Sequence, residues 1–293
     1  MSTACRRTVR CCFSSNGSGR SRLPQPRCRA HSQARGSPSQ TSGNTFSEAG
    51  EHNDDWWSAR SGFRLDWRAG TQDSVTFSGD YFHSDAGRKD LRAKTTTPYS
   101  FVNSERELTN GADVLGRWTH TIDKDSSWTL QAYWDNARRD STNDIVHFGW
   151  NIYDVDFQHN FKLGDRQQIV WGMGYRLTDS VQEASTLDNG FNIDWAQHSR
   201  LLNLLGAFLQ DEISIVPEHI SLTLGSKIEH NDFTGWEVQP TARALWTPTK
   251  EQSVWASFSR AVRTPSAADD GVKLNRPPPV PGSPVFQIGR AHV

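Results

Sequence analysis

Apolar and polar residues alternate along most of this chain with a period of two. In residues 153–161, Tyr153, Val155, Phe157, His159 and Phe161 take one parity, and Asp154, Asp156, Gln158 and Asn160 take the other. Successive side chains of an extended strand point to opposite faces, so one face here is apolar and the other carries carboxylates and amides. Ten segments read this way, at 59–68, 75–81, 113–122, 128–136, 153–161, 168–177, 202–213, 220–231, 236–246 and 253–261.

The connections alternate too. Residues 69–73, 123–127, 162–167, 216–219 and 247–252 are short, polar turns, whereas 82–112, 137–152, 178–201 and the stretch after Val262 are long; only 232–235 breaks the alternation. Unstructured loops beyond about 12–15 residues are uncommon in compact domains. Transmembrane β-barrels carry short turns on the periplasmic side and long loops outside, with strands of about 9–11 residues. The pattern therefore predicts an all-β protein, an antiparallel transmembrane β-barrel with its apolar rows on lipid and its polar rows in a wet lumen. Trp236 and Trp246, at the two ends of one strand, fall where an interfacial girdle lies. A soluble β-sandwich interaction domain is the alternative, and it requires polar outward rows and a dry inner row.

Composition fits the first reading. With 35% apolar residues, the 293-residue chain has no run long enough for a membrane-spanning helix, while twelve Trp and fourteen Phe suit a surface that meets both lipid and water. The net charge of −1 conceals +8 on residues 1–47, which hold eight Arg and no Lys, Asp or Glu, and −9 on the rest. Cys5, Cys11, Cys12 and Cys28 all lie in that first stretch. No Cys-x-x-Cys or His-rich partner follows them, so no zinc site is expected.

The ends differ from the middle. Residues 1–43 are rich in Arg, Ser, Gly and Pro without the apolar run of a signal peptide, and read as a disordered or mistranslated segment; a transit peptide shares this composition. Residues 44–266 form the barrel fragment, and 267–287 read as loop. Residues 288–293, Ile-Gly-Arg-Ala-His-Val, are what a common sequencing adapter encodes in one frame and are expected to be adapter translation.

Recognisable motifs lie in the last hairpins. They are Phe208-Leu209-Gln210-Asp211-Glu212-Ile213, Leu224-Gly225-Ser226-Lys227-Ile228-Glu229-His230-Asn231-Asp232-Phe233-Thr234-Gly235, Gln239-Pro240-Thr241-Ala242-Arg243, and 254–266 from Val254 to Ser266. In order and spacing these resemble the middle of the barrel domain of TonB-dependent outer-membrane receptors. The resemblance implies a 22-stranded barrel closed by an N-terminal plug, of which this chain holds about ten strands. It implies active uptake of a scarce nutrient such as an iron-siderophore or cobalamin, in a bacterial outer membrane. The partners it implies are outer-membrane lipid, the nutrient ligand, and a TonB energy-transducing complex that grips a box on the plug. The chain lacks the plug, the box and a terminal insertion strand, so the polypeptide as given is expected not to transport. A passive outer-membrane porin is the runner-up among membrane proteins.

No catalytic, cofactor or metal site is expected. The chain has no Gly-rich phosphate loop, His-Glu-x-x-His motif or nucleophile elbow. Arg138, Arg139 and Asp140 stand at a loop start, His147 in an external loop, and His159 on the lipid-facing parity near a turn, as an interfacial imidazole. Arg60, Arg64, Asp66, Asp154, Asp156, Arg176, Glu229, Glu237 and Arg243 face the lumen, where they hydrate it or meet a plug. Both signs alternate along these faces, which disfavours nucleic acid as a partner. Substrate-binding residues are not legible.

Overall fold

The computed structural model describes residues 7–9, 27–37, 55–93, 97–141, 146–186, 192–276 and 286–288. The cysteines at 5, 11 and 12, and residues 289–293, lie outside them. The strands are β1 Arg7–Val9, β2 Arg27–Ser37, β3 Trp56–Ala69, β4 Asp73–Ala93, β5 Ser100–Asp123, β6 Ser126–Ser141, β7 Val146–Leu163, β8 Gln167–Thr186, β9 Asn192–Trp195, β10 Ser199–Val216, β11 Ile220–Asn231, β12 Gly235–Thr249, β13 Gln252–Ser259, β14 Val272–Arg276 and β15 Phe286–Ile288. The single helix among the described residues is α1, Ala267–Gly271.

The sheet is an antiparallel meander in the order β1 to β8, then β10 to β13, with each strand beside its neighbour in sequence. The ten predicted strands are β3 to β8 and β10 to β13. β2 falls within residues 1–43 and its backbone pairs with β3 from Arg27↔Asp66 to Ser37↔Trp56. Within 267–287, α1 and β14 replace what reads in sequence as loop, and β14 pairs with β9.

The register is staggered. One row of partners runs Leu65, Phe77, Gly116, Ala132, Val155, Tyr175, Leu205, His230, Trp236. It begins near the short turn after β3 and ends beside the turn at 232–234, at the opposite end of the sheet. A sheet closing into a barrel needs this combination of tilt and shear.

Burial is inverted relative to a soluble fold. Among the described residues Trp195, at 7% exposure, is the only buried large hydrophobic side chain, whereas Asn103, Glu105, Asp154, Gln182, Arg200 and Asn231 are buried. Phe77, Tyr153, Val155, Met173, Tyr175, Leu205, Leu209, Ile228 and Val238 are exposed, all on one face. A β-sandwich would cover that face with a second sheet, and the described residues supply none. The polar parity lines the other face, as predicted.

The predicted long connections are much shorter than expected. The β4–β5 ladder continues without a break from Asp73↔His120 to Ala93↔Ser100, through most of 82–112. β6 and β7 likewise take up most of 137–152, and β8, β9 and β10 most of 178–201. Alternation fades in these upper parts because both faces are wet there, yet the backbone ladder does not need it. Cross-strand ion pairs brace both faces there: Arg106 Nε lies 2.7 Å from Asp85 on the outward face, and Arg139 Nη2 2.7 Å from Glu107 on the inward one.

Candidate lumen wall and outer rim

The polar face is held by cross-strand pairs that the register brings opposite one another. Tyr133, Asp154 and Arg176 are successive partners on β6, β7 and β8. Arg176 Nε donates to Asp154 Oδ2 at 2.7 Å, and its guanidinium stands 5.8 Å from the centre of the Tyr133 ring. The Asp154 side chain is 5% exposed and that of Arg176 43%. One turn of the pleat away, Gln131, Asp156, Gly174, Gly206, Glu229 and Glu237 form the next row. Two adjacent glycines leave a hollow of about 500 Å³, lined by Asp154, Asp156, Arg176, Phe208, Lys227 and Glu229.

Further along the same face, Lys227 Nζ pairs with Glu229 at 2.7 Å, and Gln239 donates to the same carboxylate. Glu237 lies 3.1 Å from Arg260, and Arg243 stands over the Trp255 ring at 5.6 Å. On the β3 side Arg60 reaches Asp80 at 3.2 Å, and Arg64 holds Asp66 at 2.8 Å, which also accepts from Thr76 Oγ1. All nine residues expected on the lumen side therefore share the polar face, but they meet in three groups along it. Such a wall holds polar or charged matter by hydrogen bonds.

The small residues of β8 allow close packing on the inner face. Gly172 and Gly174 leave room for packing, and the chain itself fills part of it: the Phe208 ring covers Gly172, and the Asp156 carboxylate lies on Gly174. Sequence reasoning did not single out Tyr133, Lys227 or Phe208 as members of this wall. Their parity marks them as inward facing, but which inward residues touch depends on register.

The external end corrects two placements. Arg138, Arg139 and Asp140 lie on β6, not at a loop start, and alternate across it: Arg138 Nε donates to Asp140 at 2.7 Å on the outward face, while Arg139 pairs with Glu107 on the inward one. His147 lies on β7, with Nδ1 3.6 Å from Asp140. The hydrogen bond to Asp140 raises the already high pKa of Arg138. His159 stays near the opposite turn, stacked on Phe161, with Trp171 Nε1 donating to its Nδ1 at 3.2 Å and Ser126 Oγ 3.2 Å from its Nε2. No group of three His, Cys, Asp or Glu among the described residues is placed to hold a metal.

Above the wall, α1 is tied inward. Arg200, 6% exposed, pairs with Asp270 at 2.8 Å, and Ala196 N donates to Gly271 O at 2.7 Å. Ser266 and Asp269 form a reciprocal cap at its start: the Ser266 amide and hydroxyl both reach Asp269 Oδ2 at 2.9 Å, and the Asp269 amide returns to Ser266 Oγ at 3.2 Å. Those bonds hold the Asp269 carboxyl below the usual carboxylate range.

The family described as "TonB dependent receptor-like, beta-barrel" matches residues 16–287. Among solved structures, the siderophore receptor PirA of Pseudomonas aeruginosa is similar with a TM-score of 0.59 at 15% identity, over 83% of this chain and 38% of that one. The ferric enterobactin receptor PfeA of the same bacterium gives 0.60 at 12%, over 85% and 40%. The alcaligin outer-membrane receptor FauA of Bordetella pertussis gives 0.55 at 14%, over 85% and 42%. The chain thus spans about two fifths of each. At these identities the likeness concerns the fold. No curated protein sequence matches the chain.

Proposed function

The chain belongs to the TonB-dependent receptor-like β-barrel family, and from that premise we propose that it forms part of the wall of an energised uptake receptor in a bacterial outer membrane. The cargo is a scarce nutrient of the iron-siderophore or cobalamin kind. Entry is driven by a TonB complex acting through a plug domain seated against the polar face. The observation that carries this reading is the inverted sheet: an apolar face that is exposed and a polar face braced by ion pairs, with a staggered register across nine strands. Water-filled or plugged barrels need that arrangement, and the mixed signs of Arg176, Lys227, Asp156 and Glu229 suit a polar plug.

Two experiments test it. The full chain is expected to require detergent to stay monodisperse, and a soluble monomer without detergent overturns the barrel. Deleting its gene is expected to abolish growth on one ferric siderophore, or under cobalamin limitation. Unchanged uptake under every such limitation overturns the transport role.

A further inference from the structure

On the outward face, one row beside the short turns mixes aromatic and titratable side chains. Asp73, His120, Trp128, His159 and Trp171 are successive register partners from β4 to β8, and the turns at 70–72, 124–125 and 164–166 lie just beyond them. Aromatic contacts tie this row to the next one in: Trp118 meets Trp128 edge-on with ring centres 4.6 Å apart, Trp128 lies 6.1 Å from Phe157, and Phe157 5.3 Å from Trp171. One row further in, Gly116 and Ala132 are partners between Phe77 and Val155. A Cβ on Gly116 would meet nothing within 4 Å, so the apolar face has a dent there.

Asp73 supplies the carboxylate of this row. Its Oδ1 accepts from Trp118 Nε1 at 2.8 Å and lies 2.8 Å from His120 Nδ1. An ionised carboxylate only accepts, so His120 carries a proton on Nδ1, and a neutral ring in that tautomer leaves the charge of Asp73 in place. Asp73 Oδ2 takes no hydrogen bond among the described residues, and the side chain is 30% exposed. Ala69 is its partner on β3, so Trp67 and Trp118 stand diagonally on its two sides, both exposed. In the adjoining turn Lys124 is held 3.7 Å from Asp125, and Asp123 is a further acid. An anion here would meet carboxylates. A cation meets one carboxylate and the faces of indole rings, which attract ammonium groups.

We propose that Asp73, flanked by Trp67 and Trp118, seats the ammonium headgroup of a phospholipid in the leaflet at the short-turn end, with one acyl chain lying in the dent over Gly116 and Ala132. A lipid fits better than a soluble amine because the carboxylate stands at the edge of the exposed apolar face. From Asp73 that face continues through Val75 and Leu130 to the dent, so headgroup and chain are served by one continuous strip. The site rests on the membrane reading above.

The test uses the full chain in alkyl maltoside micelles doped with equal small amounts of phosphoethanolamine, phosphocholine and phosphoglycerol lipids of identical acyl chains, with retained lipid read by native mass spectrometry. Both ammonium lipids are expected to exceed the phosphoglycerol lipid about fivefold, the scale of an exposed ion pair. Asp73→Asn, which keeps the shape and removes the charge, should bring the three level. Gly116→Leu, which fills the dent without a clash, should independently lower retention of both ammonium lipids. Phosphoglycerol retained as well as the ammonium lipids, or a preference that survives Asp73→Asn, overturns the site while leaving the barrel standing. A chain that is soluble without detergent overturns the barrel and this site together.

Discussion

The ring of Phe208 lies over Gly172, its register partner across β10 and β8, so closely that a Cβ on Gly172 would stand 2.6 Å from the ring carbon Cε1 and 2.5 Å from the Phe157 carbonyl oxygen. The missing side chain on one strand is the seat for a large one on the next. Gly172→Ala is therefore expected to destabilise the folded chain by about 1–3 kcal/mol through overpacking. Combining it with Phe208→Ala should recover only the part owed to the ring, because the Phe157 carbonyl remains. Urea midpoints of the detergent-folded single and double variants, treated as a double-mutant cycle, measure that coupling.

Asp154 and Arg176 carry unequal burial, and the consequences of removing each should be unequal. Arg176→Ala leaves a carboxylate that is 5% exposed without its cation, at an expected cost of about 3–5 kcal/mol. Asp154→Asn leaves an amide facing a half-exposed guanidinium that water can solvate, and should cost less. Equal costs for the two variants would show that the pair is not the brace of the wall.

Val155 and Gln158 test which face meets lipid. Val155 lies midway along the staggered row on the exposed apolar face, while Gln158 lies on the opposite parity. Val155→Arg should cost about 2–4 kcal/mol in a bilayer, as a charge near the midplane of a lipid-facing strand does, and Gln158→Arg far less. Refolding into short-chain lipid vesicles, followed by denaturant titration, gives both values. A reversed order would turn the barrel inside out.

Asp269 supplies a pH dependence at the external end. Its folded pKa lies below the ordinary carboxylate value because the Ser266 amide and hydroxyl bond to the ionised form. A depressed carboxylate contributes stability that is present above the unfolded pKa, near 3.9, and is lost as pH falls through the folded value. The cap of α1 should therefore be intact at neutral pH, begin to weaken as pH falls past about 3.9, and open only below the lower folded value. Limited proteolysis with pepsin across that range should show cleavage near 260–271 rising as pH falls, and Ser266→Ala should shift the onset upward. Cleavage independent of pH in the native chain would contradict the cap.

The ten strands were legible because alternation is local: each residue's parity records which face it occupies. The short turns were legible for the same reason, as polar breaks between matched apolar rows. The upper halves of β4 and β5 were not. There the residues face water on both sides, so pairs such as Arg106 with Asp85 carry the ladder and no periodicity marks it. Arg138, Arg139 and Asp140 show the same limit, since a run read as one charged cluster is divided by the pleat between the outer rim and the inner wall.

Sequence alone established which side chains share a face and that one face is apolar along the ten predicted segments, because a period of two is a property of extended backbone. Only the tertiary structure decided that Asp154 meets Arg176, that Phe208 fills the space over Gly172, and that a row starting at Leu65 ends at Trp236. Those contacts depend on register between strands, and a slip of one residue would exchange their faces. Backbone hydrogen bonds and packing across the whole sheet set that register.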